Sequence, residues 1–118
     1  MNLIYAVDRL YETGWLVETA AEPADCERLS DGRRFPTVSA VRREFERAGL
    51  KLAIKQNLAF NCYRAEWAAA GQPFNGTVVA SCEKEAAVYA LAQLRQAQTE
   101  HQLVSVVEVG GDQFAPAG

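Results

Sequence analysis

The chain has 118 residues, 49% hydrophobic and 23% charged, with three cysteines, one histidine and a net charge of -3. That length suits one domain with one core, and that balance excludes a disordered chain, a collagen-like repeat and a disulfide-dense scaffold. No apolar run approaches the 18 or more residues of a membrane span, and the first residues carry no signal-type core, so no membrane partner and a cytoplasmic, acidic protein are expected.

In chain order, residues 2–13 form the first predicted helix, with Asn2 as cap and Leu3, Val7 and Leu10 on one side. Gly14 is a natural stop. Trp15, Leu16 and Val17 are expected to pack this helix onto the core. Residues 20–25 read as an acidic loop broken by Pro23. Ser30-Asp31-Gly32 is a turn signal between short strands at 28–29 and 33–35.

Val38, Val41, Phe45 and Ala48 repeat at helical spacing behind a Thr37 cap. Gly49 fits the left-handed position after a helix, with Leu50 covering the last turn. Leu50, Leu52 and Ile54 then alternate with Lys51, Ala53 and Lys55, the period of a half-buried strand. Strands are predicted at 50–55, 58–67 and 77–81, with a turn at Gln56-Asn57. In the middle one Leu58, Phe60 and Cys62 share one face while Tyr63, Ala65 and Trp67 share the other. A bulge near Cys62 or burial on both faces would reconcile them. Asn75-Gly76 is a turn signal. A last helix is expected at 83–98, where Ala87, Val88, Leu91 and Leu94 recur at helical spacing, followed by a β-branched fourth strand at 102–109. Residues 112–118 read as a loose tail.

The resulting expectation is a single α+β domain spanning residues 1–118. It has an antiparallel three- to four-stranded sheet, helices mainly on one face, and the order α, small hairpin, α, β, β, β, α, β.

Chemistry is poorly signalled. His101, expected in a turn, stands alone, and the sequence has no G-x-S-x-G elbow, no P-loop and no C-x-x-C pair. No catalytic residue, metal ligand or cofactor is expected, and an enzyme is the less favoured reading. Cys26, Cys62 and Cys82 suit a reducing compartment, with Cys82 at the start of the last helix expected to be the most reactive thiol.

Residues 33–64 hold eight basic side chains against two acidic ones, while the remainder holds four against thirteen. Such a block is either a surface for an acidic partner or a face neutralised by acidic neighbours, here the loop from Glu18 to Glu27. The candidate partner-binding residues are Arg42, Arg43, Arg47, Lys51, Lys55, Arg64 and Trp67. Around Trp67 two accounts stand, an Arg64–Glu66 surface pair above a buried aromatic, or a contact surface of Arg and aromatic type.

The order helix, three strands, helix across residues 35–98, with Ser81-Cys82-Glu83-Lys84-Glu85-Ala86-Ala87 opening the last helix, resembles the double-stranded-RNA-binding domain in topology. That resemblance implies phosphate contacts from lysines at the start of the last helix, where this chain has Lys84 between Glu83 and Glu85. The leading expectation is a non-enzymatic binding or adaptor module for a protein partner. Nucleic-acid binding through the basic segment is the alternative, and the oligomeric state is left open.

Overall fold

The computed structural model describes residues 2–15, 25–68 and 75–114. The expected packing of Leu16 and Val17, the stretch 18–24, the connection 69–74 and residues 115–118 lie outside the described residues. Helix α1 is Leu3–Glu12, and the Asn2 carbonyl oxygen Oδ1 accepts from the Tyr5 N–H at 2.8 Å. Strands β1, Cys26–Arg28, and β2, Arg34–Pro36, make a two-stranded antiparallel hairpin. Gly32 turns it at φ +90°, and Asp31 accepts from the Arg33 N–H.

Helix α2, Val38–Arg47, starts at Thr37, whose hydroxyl oxygen accepts from the Ala40 N–H. It ends as its sequence demands. Gly49 sits at φ +74°, its N–H donates to the Glu46 carbonyl, and the Leu50 N–H reaches back to the Phe45 carbonyl at 3.0 Å. This double bond pattern satisfies two otherwise orphaned carbonyls, and Leu50 is buried over the last turn.

Strands β3, Lys51–Asn57, β4, Cys62–Ala68, and β5, Gly76–Ala80, then form a three-stranded antiparallel meander in the order β3-β4-β5. Helix α3, Glu83–Phe114, follows. The α+β class and the packing of helices on the sheet are as the sequence predicts.

Three expectations need correction. The first turn of the meander lies at 58–61, not at Gln56-Asn57. Asn57 Oδ1 accepts from the Ala59 N–H, and Asn61 takes φ +48°, a left-handed position that Asn tolerates better than other side chains. Register runs unbroken from Lys51 opposite Ala68 to Asn57 opposite Cys62, so no bulge is present at Cys62. With Leu58 and Phe60 in the turn and not in the strand, the change of face disappears, and Tyr63, Ala65 and Trp67 make one consistent inner face.

The third correction concerns residues 102–109, which continue α3 and do not form a fourth strand; residue 101 is helical too, and residues 112–114 close the same helix. Once a helix is nucleated by packing, each added residue gains a backbone hydrogen bond, while the intrinsic penalty for Val is only about a few tenths of a kcal/mol. Side chains just upstream support continuation, Thr99 Oγ1 donating to the Arg95 carbonyl and Gln96 Nε2 to Glu100 Oε1. At about 1.5 Å per residue, the 32 residues of α3 account for most of the molecule's 58 Å long axis.

The core is built around the first half of α3. Every residue from Ala86 to Ala92 is buried, together with Leu94. A helix apolar on all sides must be covered on all sides. The inner face of the sheet covers one, α2 another and α1 a third. The alanines let these neighbours approach closely, while Val7, Leu10, Trp15, Val41, Phe45 and Trp67 fill the space between.

Candidate functional site: the open face of the sheet

Because α1, α2 and α3 gather on the inner side, the other face of the three-stranded sheet is uncovered among the described residues. Alternation along each strand decides what it displays. β3 contributes Lys51, Ala53 and Lys55, β4 contributes Arg64, Glu66 and Ala68, and β5 contributes Thr77 and Val79. The cross-strand register sets Lys55 beside Arg64 beside Val79 in one row, and Ala53 beside Glu66 beside Thr77 in the next. Two shallow depressions run along this face. One is lined by Lys51, Ala53, Glu66, Trp67, Asn75 and Thr77 among others, the second by Lys55, Gln56, Asn57, Leu58, Arg64 and Glu66.

At one end the face terminates in the 58–61 turn, where Leu58 is 81% and Phe60 78% exposed. Val79, on the face itself, is 56% exposed. Scattered single apolar residues are ordinary on a surface, but Leu58 and Phe60 stand two residues apart in one turn at the end of the face, and Val79 is exposed on the face itself. Neither Leu58 nor Phe60 was singled out as a contact residue from sequence. The available signal was Asn61, which favours the left-handed turn position that lifts both out of the strand.

The seven residues singled out by sequence separate into three groups. Arg42, Arg43 and Arg47 stand on α2 and are engaged. Arg42 lies 3.9 Å from Glu83 and donates to the Leu52 carbonyl at 3.4 Å, Arg43 pairs with Asp25, and Arg47 pairs with Glu44 at 3.0 Å. Lys51, Lys55 and Arg64 share the open face. Arg64 Nε lies 2.8 Å from Glu66 Oε1 along its own strand, whereas Lys51 and Lys55 face no carboxylate within ion-pair distance among the described residues. Trp67 is in the core at 3% exposure, edge-on to Phe45 with ring centroids 5.6 Å apart.

Neutralisation by the acidic stretch is therefore partly realised. Asp25 meets Arg43, and Glu27 meets Lys84 at 3.1 Å. Arg33, in turn, lies between Asp8 and Asp31. Lys84 also sits 5.9 Å from the Phe35 ring centroid, so the cation nearest the start of α3 is held against the β1–β2 hairpin. Exposed pairs of this kind contribute little to stability, but they do reduce the charge available to a ligand.

Burial pushes the Cys26 thiol above its ordinary pKa, with Arg34 pulling the other way, which leaves less thiolate at neutral pH. Burial, followed by the charge of Glu85, raises Tyr89 likewise. Comparison of the chain with protein-family models, with curated proteins and with solved structures found no match to any of them.

Proposed function

We propose that the chain is a non-enzymatic binding module that holds a protein partner on the open face of its sheet and the turn at its end. The observation that carries this reading is the adjacency of exposed Leu58 and Phe60 to a sheet face bearing Lys51 and Lys55, cations without a carboxylate among the described residues. Such a surface suits a partner offering an apolar pocket to the turn and carboxylates to the lysines. Interfaces of this sort take most of their energy from a few buried anchors surrounded by a polar rim. Three free thiols on the described residues fit work in a reducing cytoplasm.

A photo-crosslinking side chain placed at Phe60, Lys55 or Val79 in the native host is expected to trap the same protein at all three positions. A control at Glu46, on the exposed side of α2, is expected to trap none of it. Trapping from Glu46 alone, or three unrelated products from the face, would overturn the reading.

Nucleic acid is the second reading, favoured by the cluster of Lys51, Lys55 and Arg64. The face offers it phosphate contacts, but its strand aromatics Tyr63 and Trp67 point inward, which leaves Phe60 on the turn as the exposed ring among the described residues near this face. Salt-sensitive binding of duplex RNA at low ionic strength, lost when Lys51 and Lys55 are both changed to Glu, would place this reading first.

A further inference from the structure

We propose that the outer edge of β5 pairs antiparallel with the same edge of a second copy of this chain, joining two three-stranded sheets into one of six strands. The edge adjoins the open face and shares Thr77 and Val79 with it, but self-association of the purified chain is measured with no other protein present, so its failure is distinguishable from failure of the partner reading above.

The meander has two outer edges, and they differ. Along β3 the exposed Lys51 and Lys55 flank the strand, and the Arg42 guanidinium donates to the Leu52 carbonyl at 3.4 Å. Charged side chains and covering groups are what keep an edge from adding a foreign strand. β5 has neither. Gly76-Thr77-Val78-Val79-Ala80 contains no charge and no proline, and its pairing with β4 is regular throughout. Among the described residues, no backbone hydrogen bond other than those of the β4–β5 ladder reaches these five positions. A row of N–H and C=O groups is thus left facing outward on a strand rich in β-branched residues.

Composition also points to the occupant. A strand that fits this edge must itself be unpaired on one side and uncharged, and among the described strands β5 alone meets both conditions. A two-fold axis through Val78 sets Gly76 opposite Ala80 of the second copy and Thr77 opposite Val79 of the second copy. No like charges meet. The Thr–Val pairs fall on the open face, where cross-strand neighbours of this type attract and where the exposed Val79 gains cover. A contact of five residues a side is smaller than a standard stable interface, so the dimer is expected to be reversible and concentration-dependent.

Sedimentation equilibrium over a concentration series tests this. The unmodified chain is expected to shift from monomer to dimer. In T77K/V79K each new lysine faces a lysine of the second copy, and dimerisation is expected to weaken roughly tenfold or more. In T77K/V79E each lysine faces a glutamate, and dimerisation is expected to return. Both positions are exposed, and circular dichroism with an unfolding midpoint on each variant confirms that the fold is kept. A monomer at every concentration, a dimer that survives T77K/V79K, or a folded T77K/V79E that stays monomeric would each overturn the proposal.

Discussion

Replacing Trp67 by Ala is expected to remove about 3–5 kcal/mol of stability, a large part of the roughly 5–15 kcal/mol that a domain of this size possesses. The indole is buried between the sheet and α2, edge-on to Phe45, and it also lies against Gly76 on the neighbouring strand. A Cβ added at Gly76 would fall at or within 3.0 Å of three indole ring atoms, a distance that packed carbons do not tolerate. Gly76→Ala is therefore expected to destabilise as well, by about 1–3 kcal/mol of overpacking. The two changes should not add. With the indole gone the new methyl has room, so Gly76→Ala in a Trp67→Ala background is expected to be close to neutral. Urea unfolding of the four proteins measures the cycle. Full additivity would show that Trp67 and Gly76 do not share a contact.

The second large effect is expected at Arg95. This side chain is almost fully buried, with Nε donating to Thr13 Oγ1 at 3.1 Å and Nη2 donating to the Thr13 carbonyl at 2.6 Å. Thr13 caps the end of α1, so a cation from α3 closes the carbonyl end of a different helix, where the helix dipole also favours positive charge. Charge-assisted bonds of this type contribute about 1.5–3 kcal/mol. Arg95→Met, which keeps much of the packing, is expected to lower stability by about that amount and to loosen α1 first. Hydrogen exchange should show α1 amides losing protection while those of β4 hold. Equal loss in both would mean that Arg95 supports the whole core and not the α1 contact.

Much of the fold was legible because local chemistry and global packing agree. Thr37 before Val38 and Gly49 before Leu50 each have one good use, and the structure employs them that way. The alternation from Leu50 to Lys55 likewise fixed the face that β3 buries. Two features misled for opposite reasons. Leu58 and Phe60 look like strand residues because apolar side chains are normally buried, so a turn that exposes them reads as strand until Asn61 is weighed. The valines after residue 102 have β preference, but that preference is worth less than continuing a helix already anchored by the buried run Ala86–Ala92.

The candidate site was legible only in part. Strand periodicity puts Lys51 and Lys55 on one face, but Arg64 joins them only through the register that the 58–61 turn sets, which strand alternation does not reveal. Arg42, Arg43 and Arg47 were grouped with them by charge alone, and sequence proximity does not reveal that Glu83, Asp25 and Glu44 stand beside them. The sequence around Trp67 fits both a core residue and a contact residue, and its inward direction follows once Leu58 and Phe60 belong to the turn. Arg95 gave no sequence signal, because nothing local links it to a helix end 82 residues earlier.

Among the described residues one face of the sheet is open while the other carries the core, and cysteine accessibility measures this directly. In a background with Cys26, Cys62 and Cys82 changed to Ser, single cysteines at Lys55, Thr77 and Ala53 are compared with single cysteines at Ala65 and Ala80, at low protein concentration. Alkylation is expected to be fast at the first three positions and slower by orders of magnitude at Ala65 and Ala80, both of which are buried against the helices. Slow labelling at Lys55, Thr77 and Ala53, matching that of Ala65, would show that this face is covered in the folded chain and would contradict the account.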